Sequence, residues 1–117
     1  MKKDKLTQKV ISTRKRISAK KEKELEEKLK EAIRTLTQEF KPKRIFLIGS
    51  LAKNKVHYSS DIDLVVEGLG DDYLRAGGML LDRLGEDIDL KPYEYLDEDF
   101  RKKVLKEGKL IYSSKKK

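Results

Sequence analysis

Asp-Ile-Asp-Leu occurs twice in this chain, at residues 61–64 and again at 87–90. In a β-strand, side chains alternate between the two faces, so residues i and i+2 point the same way. Asp61 and Asp63 then project together, and Ile62 and Leu64 point to the other face. A strand of this kind needs a core against one side and water or a cation against the other. If the second copy pairs beside the first, Ile88 and Leu90 face the core and Asp89 faces the side of Asp61 and Asp63. Asp87 lies on that face by alternation too, but at the strand's edge, so Asp89 is the expected third carboxylate.

The elements around these strands follow from periodicity. Leu25, Leu29, Ala32, Ile33, Leu36 and Phe40 recur at steps of three and four, which predicts a helix over about 20–40 with one apolar stripe. Leu6, Val10 and Ile17 suggest a weaker helix upstream. Pro42 ends the main helix. Arg44 to Ile48 is a short apolar run, a buried strand that Gly49 closes. Ile62 to Val66 is a second strand, with Gly68 and Gly70 after it. Tyr73, Leu74, Leu80, Leu81 and Leu84 predict a helix over about 71–84, weakened by Gly77-Gly78. Asp87 to Lys91 is a third strand. Asp97 is the expected N-cap of a helix that runs to Glu107, with Gly108 as its C′ residue. Lys109 to Tyr112 is the last strand. The fold class is therefore α/β (α+β): a small mixed β-sheet flanked by helices.

Length and charge narrow the reading. The 117 residues suit one domain with a modest core, because only 37% are hydrophobic while 43% are charged. There is no cysteine, which excludes disulfides and thiolate metal sites, and the single histidine, His57, leaves no multi-histidine site. No apolar run approaches the ~20 residues of a membrane span, and the basic N-terminus lacks the apolar stretch of a secretory signal. A soluble, cytoplasmic protein is expected, with no membrane association. Residues 1–23 hold ten basic and two acidic residues, so the net charge of +8 is concentrated there. They are read as a basic extension, partly disordered or helical, ahead of a domain spanning 24–117. Such an end offers nucleic acid or an acidic partner a contact, although a solvated tail is the commoner use of such charge.

Side-by-side carboxylates repel unless a cation sits between them or one keeps its proton. A hard divalent ion resolves this, and Mg²⁺ favours a few carboxylate oxygens completed by substrate phosphates. Three carboxylates suit two Mg²⁺ ions ~4 Å apart, the clamp of phosphoryl transfer. Gly49-Ser50 supplies a complementary part. A strand ending at glycine, with a helical turn beginning at Ser50, leaves backbone N–H groups free for a phosphate that the glycine lets approach. Lys53 and Lys55 lie close by for triphosphate charge.

Gly49-Ser50, ten intervening residues and then Asp61-x-Asp63 resemble the signature of the minimal nucleotidyltransferases of the DNA polymerase β-like superfamily. The resemblance spans about residues 25–112 and includes Lys106 to Tyr112, similar to that family's C-terminal strand. It implies the polymerase β-like fold. It further implies that Gly49 and Ser50 bind the nucleoside triphosphate, that Asp61 and Asp63 ligate both Mg²⁺ ions, and that Asp89 completes the one that activates the acceptor. Where the family often has Arg-Gly after Gly-Ser-x-Ala, this chain has Lys53-Asn54, a departure in the triphosphate contacts. Relatives of this size act beside a HEPN-domain RNase toxin. The implied function is that of the antitoxin, which transfers AMP from ATP onto a tyrosine of the toxin. Transfer to RNA or to a small molecule is the alternative enzyme, and masking of a toxin by contact alone is the non-enzymatic one.

Several other residues carry ordinary expectations. His57 reads as a solvated loop histidine, and Tyr58 as a loop aromatic that either packs or stacks near the nucleotide. Arg75 reads as surface helix charge, Tyr93 and Tyr95 as an aromatic edge, and the Leu25–Phe40 stripe as core.

Overall fold

The computed structural model describes residues 5–53 and 61–114, without the side chains of 5–18 and Ser50. Four strands form one sheet: β1 (Arg44–Ile48), β2 (Ile62–Glu67), β3 (Ile88–Pro92) and β4 (Lys109–Ser113), in the order β3-β2-β1-β4. β1 pairs antiparallel with both β2 and β4, and β2 pairs parallel with β3. A parallel pair needs a crossover, and α3 (Tyr73–Leu84) supplies it. The helices α1 (Lys5–Glu39), α2 (Gly49–Ala52) and α4 (Glu98–Glu107) complete the chain. The expected mixed sheet flanked by helices is the architecture found.

The alternation in β2 divides the molecule into two cores. Ile62, Leu64 and Val66 are fully buried on one face, with Ile45 and Leu47 of β1 and Leu90 of β3. That face is covered by Leu25, Ala32, Leu36 and Phe40 of α1 and by Ala76 and Leu80 of α3. Each such side chain removed from water contributes roughly 1.5–3 kcal/mol, so this layer holds the fold together. The opposite face is only partly covered. There Phe46 of β1 and Val65 of β2 meet Val104 of α4, with Tyr93, Leu96 and Phe100 around them. Asp63 belongs to this second face, beyond the cover of that small cluster.

The third strand runs over Ile88–Pro92 rather than 87–91, and two helix ends depart from expectation, one in position and one in conformation. α1 starts at Lys5 rather than near residue 20. The sequence holds no glycine or proline before Pro42 and is dense in Lys, Glu and Arg, so nothing breaks the helix upstream of its packed half. The second difference is Gly108. Asp97 caps α4 as expected, its side chain accepting from the Phe100 N–H at 2.8 Å. Gly108 ends the helix at φ −77°, however, not in the left-handed conformation that favours glycine at a C′ position. Its small size is needed for a different reason. A Cβ there would stand 2.6 Å from the Val104 carbonyl oxygen in the last turn of α4 and 3.1 Å from Ile48 Cγ2 of β1.

Opposite stability effects are expected at two glycines. Gly108→Ala forces backbone to shift and should cost about 1–3 kcal/mol. Gly78→Ala, within α3 where an added Cβ meets nothing within 4 Å, should add about 0.5–1 kcal/mol. Urea unfolding of both variants checks the pair.

Candidate functional site

β1 delivers the chain to Ile48, which lies opposite Asp63 in the antiparallel register. On its other side Asp63 lies opposite Asp89 in the parallel register. Asp63 is thus the middle of a row across three strands, with Asp89 beside it on the same face. Gly49 then turns the chain at φ +82° into α2. A Cβ at Gly49 would run into the Asp63 carboxylate. The glycine therefore permits two things at once: a left-handed turn and close contact between the turn and the acid.

The three expected carboxylates sit in different settings. Asp61 precedes β2 and is exposed, Asp63 is half-buried and Asp89 is exposed. Burial pushes the Asp63 carboxyl above its ordinary range; the Lys91 ammonium pulls it back down, and the charges of Asp89 and Asp61 push it up again. Lys91 is a residue that reasoning from the sequence did not single out. Its ammonium bonds the Asp89 carboxylate and lies 3.9 Å from Asp63 Oδ1. The available signal was its position two residues after Asp89, on the same strand face.

Asp87 is occupied elsewhere. It lies in the turn before β3, where alternation does not govern direction, and Lys28 of α1 bonds its Oδ2 at 2.6 Å with Lys21 at 3.8 Å. The hydrogen bond from Lys28 holds its carboxyl below the usual range. The second Asp-Ile-Asp thus sends one acid to α1 and one to the Asp63 face.

Gly49 also borders a cavity of about 190 Å³ lined by Ile48, Lys53, Phe100, Lys103, Val104, Glu107 and Gly108. Its wall is largely apolar, and two lysines and one glutamate stand at it. Lys55, His57 and Tyr58 lie outside the described residues. Of the remaining candidates, Arg75 is a surface charge as expected, paired to Asp72 at 3.6 Å and stacked over Phe40. Tyr93 packs on Phe46 with ring centroids 6.0 Å apart, but Tyr95 is 72% exposed. The two tyrosines share a 3-10 turn rather than a strand, so residues two apart point different ways.

Among the described residues no group of three potential ligands converges on one point. Mg²⁺ does not require such a group, because it is usually held by one or two carboxylates and completed by water and phosphate. Asp63 and Asp89 are hard oxygen donors in neighbouring register positions, and Asp61 is near enough to act on Asp63 electrostatically. The donor set fits a hard divalent cation.

The sequence pattern of the family described as "Polymerase beta, Nucleotidyltransferase" matches residues 27–117. The chain belongs to this nucleotidyltransferase family. No curated protein matches it significantly by sequence. Among solved structures it is similar to a toxin–antitoxin protein crystallised with AMP-PNP, at 24% identity over 70% of each chain and a TM-score of 0.60. It is similar to a chain of the MntA–HepT toxin–antitoxin, at 20% identity over 76% of this chain and 73% of that one, TM-score 0.57. A third likeness is to a chain from the complex of a tri-AMPylated Shewanella oneidensis HEPN toxin with its MNT antitoxin. There the identity is 22%, over 77% of this chain and 73% of that one, with a TM-score of 0.58. At these identities the likeness establishes a shared fold.

Two variants test the site's construction. Gly49→Ala should destabilise by about 1–3 kcal/mol, from the left-handed turn and the collision with Asp63, as read by urea unfolding. Asp87→Asn tests the tie to α1. A lowered folded pKa contributes stability above the ordinary carboxylate range, and this is lost as pH falls through the folded value. Asp87→Asn should thus cost under ~1 kcal/mol at pH 7, since the pair is partly exposed. Thermal unfolding curves of variant and wild type should converge as pH falls below the ordinary carboxylate range.

Proposed function

We propose that this protein transfers AMP from ATP, with Mg²⁺, onto a hydroxyl of a protein partner, and that the partner is a HEPN-domain toxin modified on a tyrosine. The observation that carries the reading is the meeting of Gly49 with the Asp63–Asp89 pair: a glycine turn pressed against one of two carboxylates in adjacent register positions. Membership of the nucleotidyltransferase family supports the reaction class. The partner is supported by the structural likeness to toxin–antitoxin proteins, one of them an MNT antitoxin in complex with a tri-AMPylated HEPN toxin. ATP as donor is supported by the neighbour crystallised with AMP-PNP.

In the proposed reaction the acceptor oxygen attacks the α-phosphorus of ATP. A new P–O bond to AMP forms, the bond to the β-phosphate oxygen breaks, and pyrophosphate leaves. Asp61, Asp63 and Asp89 would hold two Mg²⁺ ions, whose chemistry is to lower the pKa of the acceptor hydroxyl and to neutralise charge on the phosphates. The protein's own work is placement and electrostatics. Asp63, fixed by its two strand neighbours, defines where the α-phosphate is met. Gly49 and the first turn of α2, beginning at Ser50, receive the triphosphate without a side chain in the way. Lys53 and Lys103, at the adjoining cavity, offer positive charge to the leaving pyrophosphate. The transferase is assigned to residues 24–117. Residues 1–23, with their +8 balance, form a basic extension suited to an acidic or phosphate-bearing partner.

Incubation with α-³²P-ATP, Mg²⁺ and a co-expressed HEPN-domain partner tests this reading. Label should pass to a tyrosine of the partner and fall about 100-fold or more in Asp61→Asn/Asp63→Asn, which removes several kcal/mol of charge stabilisation. If no nucleotide labels the partner, the protein acceptor is wrong, and RNA or small-molecule acceptors should then be tried with the same variants.

A further inference from the structure

Asp63 and Asp89 face each other across the β2–β3 pair, and the cation between them belongs to the chain itself. Lys91 is two residues after Asp89 on β3 and is paired in register with Val65, which is buried on the same face. Its side chain retains only 32% exposure, against 71% for a freely solvated lysine such as Lys102. Its ammonium is therefore seated. It bonds Asp89 directly and lies 3.9 Å from Asp63. No other described ammonium or guanidinium group lies within 4 Å of either carboxylate. Any cation held by these two acids must occupy the space the Lys91 ammonium fills, or be repelled by it at a few ångströms.

We propose that Lys91 is a positioning residue for the metal site: a tethered counter-ion that keeps Asp63 and Asp89 together and yields them to the divalent cation. The inference rests on the reading of these acids as metal-holding. Two carboxylates in adjacent register positions would otherwise splay or take up a proton. The four-carbon stem of lysine gives the ammonium room to swing out while its backbone stays in the sheet. An arginine at this place keeps the charge, and a methionine keeps most of the stem without it. A lysine whose ammonium stood clear of the bound cation would leave metal affinity indifferent to its charge.

The test is Mn²⁺ binding to the full chain, followed by electron paramagnetic resonance without nucleotide, in wild type, Lys91→Met, Lys91→Arg and Asp63→Asn. Lys91→Met should bind Mn²⁺ about fivefold more tightly than wild type, the scale of one partly exposed ion pair. Lys91→Arg should bind like wild type. In EDTA, Lys91→Met should melt lower than wild type, because the acids are then left facing each other. Unchanged or weaker Mn²⁺ binding by Lys91→Met, with wild-type binding still dependent on Asp63, would overturn the counter-ion role and leave the metal site standing. Mn²⁺ binding that Asp63→Asn does not diminish would overturn both.

Discussion

The parallel register of β2 with β3 is the constraint on which the site depends. Ile62 meets Ile88, Asp63 meets Asp89 and Leu64 meets Leu90. Two strands with the same Asp-Ile-Asp-Leu alternation are thus aligned like with like. The apolar positions are driven to the face covered by α1 and α3, where Ile62 and Leu64 are fully buried. A slip of one residue would put the acids into that core and the isoleucines into water, at several kcal/mol for each buried charge. Hydrophobic burial on one face therefore fixes the meeting of two carboxylates on the other, against their mutual repulsion. The site is a by-product of the register, and the register is enforced by the core.

Around that row, the protein concentrates unfavourable chemistry in a small area. Asp63 is half-buried beside another acid, with its carboxyl pushed upward by that burial. Gly49 takes a left-handed turn in contact with it. Neither arrangement helps the fold, and the layer of buried side chains under α1 offsets both. The opposite end of β2 shows what the same surface does when it serves stability alone. There Glu67 is met by Arg44 in two hydrogen bonds of 2.7 and 3.1 Å, and the Arg44 bond holds its carboxyl below the usual range. One strand thus carries a satisfied acid at one end and a strained one at the other.

The helix α1 contributes to the site indirectly. Leu25, Ala32, Leu36 and Phe40 cover the core face, and Lys28 with Lys21 anchors Asp87 at the entrance to β3. This tie holds the turn that leads directly into Asp89. The longest element of the chain therefore sets the position of a carboxylate that it does not touch.

Much of this was legible in the residues alone. Element order came from the three-to-four spacing of the Leu25–Phe40 stripe, from the short apolar runs and from the glycines and Pro42 that end them, because burial imposes those periods on sequence. The grouping of Asp61, Asp63 and Asp89 as candidates followed from alternation in the same way. Tertiary structure decided what local patterns cannot carry. Alternation puts Asp87 and Asp89 on one face and separates them only by place in the strand, whereas contact with Lys28, fifty-nine residues away, is what ties the first to α1. Gly108 looks like a helix stop by conformation, yet it must be small because the Val104 carbonyl of α4, and behind it Ile48 of β1, leave no room for a Cβ. Lys91 carries only the weak signal of standing two residues after Asp89, since a lysine on a strand is unremarkable until the neighbouring strand brings Asp63 to it. Periodicity is written along the chain because each residue answers to its own burial. The partner of a charge is not, because it is chosen across space by how the strands and helices pack.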